Sequence, residues 1–296
     1  MPFLIIGARA FRVVYGFDRI TLWFDRADIP IMRKLLRPHC RALKLKVRQM
    51  LKNPLWKLKM RVFQPSQEFF RVLQQALGAS MCVLVTYVEI ARDILARNQS
   101  DIPLLLAEFL AAATVPRLHL PSVQRSHDIY YYNYRSDEHG NRRTHVPLVY
   151  ADKPSKLARK GVPVRRNLPD TAPRCLHNEW RCSGSAAIGV LGIASIADLL
   201  EFDFVAFFAR NMPFRKLPAS RTALGQMLPG KRKVNPDTCR KRARAFIANA
   251  TRDDGLFVLH NAVRAAPSKF ASRLEAMTLE EWLINAIEKG SNSMPD

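Results

Sequence analysis

The sequence predicts an α+β fold, with a mostly antiparallel β-sheet flanked by helices and a helical C-terminal region. Apolar and polar residues alternate in several short runs, as half-buried strands require. Turn residues join some of these runs into hairpins, whose strands pair antiparallel. Hydrophobic residues make up 48% of the 296 residues and charged residues 24%, as in ordinary globular proteins. We expect one α+β domain over residues 1–209, followed by a basic linker and a helical region over residues 210–296.

The first predicted elements are a strand and a hairpin with one basic face. Residues 18–25 are rich in β-forming side chains and predict a strand. Apolar and basic residues alternate in residues 43–48 and 56–62, and the dipeptide Asn53-Pro54 predicts the turn between them. The apolar residues would then share one face and six basic residues the other: Lys44, Lys46, Arg48, Lys57, Lys59 and Arg61. This basic face is a predicted track for a nucleic-acid backbone.

The middle of the chain predicts two helices, a strand and a second hairpin. Pro65-Ser66 precedes a helix that ends near residue 77, because apolar side chains recur there on one stripe. Residues 82–94 contain many β-branched residues and predict a strand. Residues 101–113 predict a helix. Residues 129–134 and 146–150 predict a hairpin with a turn-rich tip.

The remaining elements are one strand and several helices. Residues 175–182 predict a strand, and residues 186–209 are mostly helical in pattern. Thr278 and Glu281 have the spacing of a capping box, and Gly290 is a suitable end for the helix that the box begins.

The charge of the chain favours an anionic partner. The 47 Lys and Arg residues exceed the 25 Asp and Glu residues, which gives a formal net charge of +22. Residues 33–61 hold eleven of the basic residues and no acid, and residues 210–252 hold twelve against one acid. Such clusters give salt-sensitive binding to a polyanion because each neutralised phosphate releases counterions. We therefore expect nucleic acid as the main partner.

Other features argue against a membrane or a disulfide framework. No run approaches the roughly 18–20 apolar residues of a membrane-spanning helix, and residues 1–7 lack the pattern of a signal peptide. We therefore expect a cytoplasmic protein with no membrane partner. The five cysteines have no CxxC pair, so we interpret them as reduced thiols rather than as a zinc site. They are Cys40, Cys82, Cys175, Cys182 and Cys239.

Four acids on predicted strands are candidate metal ligands. Glu89 and Asp93 share one face of a strand because side chains alternate with a period of two, Glu179 lies in a later strand, and Asp152 ends the second hairpin. If these strands are neighbours, two or three of the carboxylates could converge on one divalent cation, Mg²⁺ or Mn²⁺, which would polarise a phosphodiester. The alternative is that each acid is a surface or salt-bridged carboxylate.

A tyrosine-rich strand offers a candidate nucleophile. Alternation places Tyr130 and Tyr132 on one face and Tyr131 on the other. One hydroxyl could attack phosphate, but a phenol with an ordinary pKa near 10 needs a base, a cation or a metal, and Lys153 is one such cation. The alternatives are packing and cross-strand pairing, or stacking of unpaired bases on the rings.

Short motifs along these strands resemble a known family. The strand at residues 17–24 is followed by the acidic strand at residues 88–93 and by Tyr131-Tyr132-Asn133. Residues 150–153 read Tyr-Ala-Asp-Lys, and residues 179–181 read Glu-Trp-Arg. In this order the motifs resemble the replication initiation factor family of rolling-circle initiators, which serve small plasmids, filamentous phages and some mobile elements.

The resemblance implies a metal-dependent, site-specific DNA nickase. A tyrosine would attack a DNA phosphate, become linked to the 5′ end and free a 3′-hydroxyl that primes synthesis. Tyr131 is then the nucleophile, with Tyr130 and Tyr132 as close substitutes, and Lys153 offsets charge in the transition state. The remaining implied roles are metal binding by Glu89, Asp93 and Glu179, and DNA binding by the basic hairpin and Lys156.

The expected partners and the alternatives follow from the same features. The DNA would be a replication origin in single-stranded or supercoiled form, and a helicase or other host replication proteins and a second copy of the chain are further expected partners. The main alternative is a DNA- or RNA-binding protein without catalysis on a related scaffold. A basic structural or ribosome-associated protein is a third class, which would bind RNA without preference for an origin.

Overall fold

A computed structural model describes most of the predicted elements. The described residues are 4–6, 9–27, 32–48, 50, 52–77, 82–113, 115, 122–126, 129–132, 144–152, 175–216, 257–260 and 275–291.

The described residues form twelve strands and seven helices. The strands are β1 (Leu4–Ile6), β2 (Arg9–Phe24), β3 (Cys40–Val47), β4 (Leu58–Pro65), β5 (Val83–Ala96), β6 (Ser122–Ser126), β7 (Ile129–Tyr131), β8 (His145–Asp152), β9 (Cys175–Ser183), β10 (Phe214–Arg215), β11 (Phe257–His260) and β12 (Ala276–Met277). The helices are α1 (Met32–Leu36), α2 (Gln67–Leu77), α3 (Asp101–Ala112), α4 (Ser185–Val190), α5 (Ile196–Leu200), α6 (Phe204–Asn211) and α7 (Leu279–Ser291). A 3-10 turn, Arg37–His39, joins α1 to β3.

One large sheet organises the fold. Its ten strands have the order β11-β6-β7-β8-β9-β5-β2-β4-β3, with β1 paired to β2, and all of these neighbouring strands pair antiparallel. Strands β10 and β12 form a separate two-stranded sheet. The α+β class with a mostly antiparallel sheet is therefore confirmed. The centre of the sheet is the long pair β2 and β5, which is flanked by β9 and β4.

Helices cover one face of the sheet, which we call the helix face. The row Val62, Ile20, Val88 and Cys182 crosses four neighbouring strands on this face, and all four side chains are buried. Helix α6 packs there, because the rings of Phe207 and Trp180 lie 5.6 Å apart between centroids. Burial of these apolar side chains supplies most of the driving force for the fold.

Local sequence signals account for several elements. The basic hairpin is confirmed as β3 and β4, with Leu43 of β3 buried. Helix α2 begins after Ser66, whose hydroxyl accepts a hydrogen bond from the Phe69 amide at 3.2 Å. The capping box that begins α7 is also confirmed: the Thr278 amide donates to the Glu281 carboxylate at 2.7 Å, and the Glu281 amide donates to the Thr278 hydroxyl at 3.1 Å.

The chain departs from the expected pattern at its start and at one edge of the sheet. The first long strand begins at Arg9, well before the predicted residues 18–25, and β1 pairs with this extension. Strands β6 and β11, at the far edge of the sheet, were not predicted.

The described part of residues 210–296 packs against the earlier elements. Strand β11 pairs with β6, and Trp282 of α7 lies against Phe109 of α3 with ring centroids 5.8 Å apart. Trp282 also stacks on Phe214 at 4.4 Å. Among the described residues, no helix combines the length and apolar character that crossing a membrane requires. The four described cysteines, Cys40, Cys82, Cys175 and Cys182, form no disulfide bonds with one another.

Candidate active site on the charged face of the sheet

The face opposite the helices carries charged residues from several strands, and we call it the charged face. Directly paired residues of antiparallel strands point to the same side of a sheet. The pairs Lys44–Arg61 and Arg61–Thr21 place basic side chains of β3 and β4 on this side. Farther along the same face, Arg19 of β2 pairs with Glu89 of β5, which pairs with Arg181 of β9.

His177 lies at the centre of a buried ionic cluster on this face. Its Nδ1 is 2.5 Å from Asp93 Oδ1 and its Nε2 is 3.1 Å from Glu179 Oε2, and all three side chains are at most 1% exposed. Burial alone would lower the pKa of His177, but its contacts with Asp93 and Glu179 outweigh burial and raise the pKa to about 10. The imidazole is therefore an imidazolium shared by two carboxylates when no metal is bound.

Two arginines continue the cluster toward β2. Arg181 Nε lies 2.6 Å from Glu179 Oε1 and 3.6 Å from Glu89 Oε1. Arg19 donates to Glu89 Oε1 at 2.5 Å, and the Tyr87 hydroxyl donates to the same oxygen at 2.5 Å.

Burial and neighbouring charges shift the pKa values of Glu89 and Glu179 in opposite directions. Burial, together with the charge of Glu179, raises the pKa of Glu89 to about 7. Burial would also raise the pKa of Glu179, but its contacts with His177 and Arg181 lower that pKa to about 2. Two carboxylates with separated pKa values are typical of sites that combine acid and base roles.

A bulge brings a further carboxylate to this cluster. The pairing of β2 with β5 shifts its register between Phe17 and Arg19, so Asp18 has no direct partner in β5. Asp18 Oδ1 accepts a hydrogen bond from Gln64 Nε2 at 2.8 Å. One ligand atom each of Asp18, His177 and Glu179 lie within 4.8 Å of one another. We call the following seven residues the His177 cluster: Asp18, Arg19, Glu89, Asp93, His177, Glu179 and Arg181.

The donor set of the His177 cluster fits a divalent cation. Asp18, His177 and Glu179 offer two carboxylate oxygens and an imidazole nitrogen, and Asp93 holds the other imidazole nitrogen. A carboxylate behind a metal-binding histidine fixes its ring and raises its basicity. The structure brings the predicted ligands Glu89, Asp93 and Glu179 together on one face. Glu89 Oε1, however, already accepts hydrogen bonds from Arg19 and from the Tyr87 hydroxyl.

The tyrosine-rich strand divides between the two faces. Tyr131 pairs with Leu148 of β8 and packs in a small apolar cluster with Val146 on the charged face. Tyr130 and Tyr132 belong to the main core on the helix face, where the Tyr132 ring lies 6.2 Å from Phe109. Of the three candidate nucleophiles, Tyr131 alone shares a face with the His177 cluster.

A further tyrosine, Tyr150, contacts the His177 cluster directly. It pairs with His177 across β8 and β9, and the two ring centroids lie 4.8 Å apart with an interplanar angle of 51°. Its side chain is half-buried.

The predicted DNA-binding residues of the basic hairpin line the charged face next to this cluster. Lys44, Lys46 and Arg61 are exposed and Lys59 is half-buried. Burial, and then the nearby positive charges of Arg61, Arg48 and Lys46, lower the pKa of Lys59. Mutual repulsion of this kind is what a phosphate backbone would relieve. The other two predicted residues, Arg48 and Lys57, are exposed just beyond the ends of β3 and β4.

Some site residues were predicted and others were missed. The predicted Lys153 and Lys156 lie outside the described residues. Asp18, Arg19 and His177 were not predicted as site residues. The alternation His177, Glu179, Arg181 along β9 was a signal for His177, because the three share one strand face. No sequence signal marks Asp18, whose position depends on a bulge.

Comparison with known proteins includes one weak structural similarity. No protein-family model matches the chain, and no curated protein matches it. A solved rolling circle replication initiator protein from Geobacillus stearothermophilus aligns with 81% of this chain and 97% of its own, at 10% sequence identity and a TM-score of 0.40. A TM-score of this size does not establish a shared fold, so it assigns no role to the residues of the charged face.

Proposed function

We propose that this chain is a DNA-binding replication initiator that nicks one strand by tyrosine transesterification, with a divalent metal, to start rolling-circle replication of a plasmid or phage. One observation carries the proposal: one face of the sheet holds a basic hairpin, the buried His177 cluster and two tyrosines, Tyr131 and Tyr150. Phosphate binding, charge stabilisation and a nucleophile are the three requirements of this reaction.

Residues of the His177 cluster would hold the metal. Asp18, His177 Nε2 and Glu179 would bind Mg²⁺ or Mn²⁺, and Asp93 would orient the imidazole. When bound, the cation would neutralise a phosphate oxygen and make the phosphorus more electrophilic. Of the ligands Glu89, Asp93 and Glu179 that the sequence predicted, only Glu179 remains a metal ligand in this proposal. Asp93 instead contacts the other nitrogen of His177, and Asp18 takes the ligand position predicted for Glu89.

The arginines of the cluster would stabilise the developing charge. Arg19 and Arg181 are about one-third exposed at their side chains, while the carboxylates that they contact are buried. Their outer N–H groups therefore border the surface at which a phosphate would arrive. Guanidinium groups bind phosphate oxygens through paired hydrogen bonds and keep their charge at all relevant pH values.

A covalent-capture assay tests the proposal. The protein is incubated with Mn²⁺ or Mg²⁺ and labelled single-stranded or supercoiled DNA that contains the origin of its own replicon, and the mixture is then denatured. We expect a covalent protein–DNA adduct that is lost on chelation and falls at least about 100-fold in Glu179→Gln, because that substitution removes a ligand and a charge. Glu68→Gln, at an exposed ion pair of α2, is the matched control and should keep full labelling.

A binding protein without catalysis is the second candidate. It is favoured by the way in which Arg19, Arg181 and His177 already neutralise the buried carboxylates without a metal. Such a network can be purely structural. It predicts tight, salt-sensitive DNA or RNA binding with no adduct under any metal condition, and that result would eliminate the nickase.

Several expectations about partners remain predictions. They are a helicase or other host replication proteins, a homodimer, and a cytoplasmic location.

A further inference from the structure

Tyr150 is the tyrosine that the fold places against the His177 cluster. Strands β8 and β9 pair so that Tyr150 lies directly opposite His177, and the ring centroids are 4.8 Å apart. His177 is also one of the three residues that would hold the metal. The fold therefore places Tyr150 in contact with a residue that would hold the metal.

The other described tyrosines on the charged face have different surroundings. Tyr131 is 6% exposed and packs with the apolar side chains of Val146 and Leu148. It pairs with Leu148, and Leu148 pairs with Glu179, so Tyr131 lies two strands away from the cluster. Tyr87 donates its hydroxyl hydrogen to Glu89, and burial and the charge of Glu89 raise the Tyr87 pKa well above its usual range.

An attacking hydroxyl must lie beside the groups that bind the phosphate and stabilise its developing charge. In the proposed site these groups belong to the His177 cluster, and Tyr150 contacts that cluster at His177. We propose that Tyr150, rather than Tyr131, supplies the hydroxyl that attacks the DNA phosphate. This inference rests on the proposed nickase function and names the nucleophile within it.

The step exchanges one phosphate ester bond for another. The Tyr150 oxygen forms a bond to phosphorus, and the bond between phosphorus and the 3′-oxygen breaks. The phenolic proton is lost from Tyr150 and an equivalent proton is gained by the leaving 3′-oxygen, so the products are a 5′-phosphotyrosyl strand and a free 3′-hydroxyl. No oxidant, reductant or nucleotide is consumed.

Phenylalanine substitutions separate the two tyrosines. Tyr150→Phe and Tyr131→Phe each keep the ring and remove only the hydroxyl. In the covalent-capture assay with Mn²⁺, we expect Tyr150→Phe to form at least about 100-fold less adduct than wild type. Tyr131→Phe should stay within a few fold of wild type, and so should the control Glu68→Gln. Melting temperature and DNA affinity are measured for each variant, so that misfolding is recognised.

Peptide mapping of the wild-type adduct gives a second readout that does not depend on a variant. Trypsin does not cut between Lys153 and Pro154, so Tyr150 falls in the peptide 144–156 and Tyr131 in the peptide 126–135. We expect the nucleotide mass on peptide 144–156. Nucleotide on peptide 126–135, or full labelling of Tyr150→Phe, would overturn the inference and leave the nickase intact. Absence of any adduct in wild type would overturn both.

Discussion

At the residue scale, the protonation state of His177 links the ionic cluster to pH. The imidazolium is fully buried, and its two ring nitrogens contact Asp93 and Glu179. A buried charge is tolerated only when its partners replace the lost water. Removing the proton would leave two buried carboxylates with one fewer cation between them, so the folded state holds this proton more tightly than the unfolded state does.

We predict that the stability of the metal-free protein falls as pH rises from 6.5 toward 10. The pKa of His177 is raised from 6.5 to about 10 on folding. Between these values the folded chain binds a proton that the unfolded chain has lost. The stabilisation is therefore complete below pH 6.5 and disappears as pH rises through the folded pKa.

Thermal unfolding in EDTA across this pH range measures the effect. His177→Gln lacks the titrating group, so its melting temperature should be lower at pH 6 and change less between pH 6.5 and 10. Parallel profiles for wild type and His177→Gln would contradict the assignment of this proton.

We predict that the His177 cluster prefers Mn²⁺ to Mg²⁺. Mg²⁺ takes oxygen ligands, whereas Mn²⁺ accepts an imidazole nitrogen among carboxylates more readily. Calorimetric titration near pH 7 should give tighter binding of Mn²⁺ to the wild type. Asp18→Asn should weaken that binding by about tenfold or more, because it removes one charged ligand. Glu68→Gln is the control, and equal affinities for the two ions would contradict the donor set.

The sequence predicts part of this site. The other site residues could not be predicted because their positions depend on long-range pairing or on a bulge. Strand alternation is local, so Glu89 and Asp93 could be assigned to one face from the sequence. The pairing of β5 with β9 is long-range, and it alone reveals that Asp93 faces His177. Asp18 depends on a bulge, for which its neighbours give no signal.

At the scale of elements, the hairpin of β3 and β4 presents its charge as two adjacent rows. Lys44 pairs with Arg61 and Lys46 pairs with Lys59, so four basic side chains share one patch. Like charges in directly opposed positions destabilise a sheet unless an anion or solvent screens them. Phosphates bound to this patch would reduce the repulsion between its positive charges.

Neutralising this patch should weaken DNA binding and its salt dependence together. The quadruple variant with Lys44, Lys46, Lys59 and Arg61 changed to Gln removes four positive charges. We expect the slope of log affinity against log salt to fall by about three to four, since each phosphate contact contributes about 0.7–0.9. Arg210→Gln, on the exposed side of α6, is the control. An unchanged slope in the quadruple variant would exclude this hairpin from the DNA interface.

On the helix face, Arg92 joins the central strands to the elements above them. It is fully buried, donates to Asn178 Oδ1 at 3.0 Å, and its guanidinium lies 4.5 Å from the Phe208 ring and 5.2 Å from the Phe214 ring. Burial lowers the pKa of Arg92 to about 10, so its aromatic and polar contacts offset only part of the desolvation cost.

Truncating Arg92 should destabilise the whole fold. Arg92→Ala leaves a cavity among aromatic rings and an unpaired Asn178, so we expect a loss of about 2–5 kcal/mol in the free energy of unfolding. Arg92→Met fills most of the cavity without a charge and should lose less. Equilibrium denaturation with urea measures both variants. A loss of under about 1 kcal/mol for Arg92→Ala would mean that the contacts of Arg92 with Asn178 and the aromatic rings contribute little to stability.

Elements with strong local signals were predicted well. The basic hairpin, α2 and α7 each combine a periodic pattern with a turn or a cap, so their positions follow from neighbouring residues. The extension of β2 and the strands β6 and β11 were missed because their pairing partners supply the stabilisation. Strand propensity depends on such context more than helix propensity does.

At the scale of the whole molecule, the two faces of the sheet carry different sets of residues. The helix face holds the apolar core, and the charged face holds the basic hairpin at one end and the His177 cluster with Tyr150 farther along. The order β8-β9-β5-β2-β4-β3 places five strand spacings between Tyr150 and the outer row of lysines. At about 4.8 Å per spacing, this is about 24 Å across the strands. The row of Tyr150 meets β2 at Val14 and the row of Lys44 meets it at Thr21, which adds about 23 Å along the strands, so the diagonal path is about 33 Å.

This distance predicts the length of DNA that the charged face binds. A strand with about 3.4 Å between phosphates covers the path in roughly ten nucleotides, and an unstacked strand covers it in fewer. Fluorescence anisotropy with single-stranded oligonucleotides of decreasing length should show affinity that is nearly constant above about ten nucleotides and falls steeply below, as phosphates leave the hairpin. The quadruple hairpin variant should lose this length dependence, because its remaining contacts lie near the His177 cluster. If a trinucleotide binds the wild type as tightly as a twenty-mer, the DNA does not cross the face from β8 to β3.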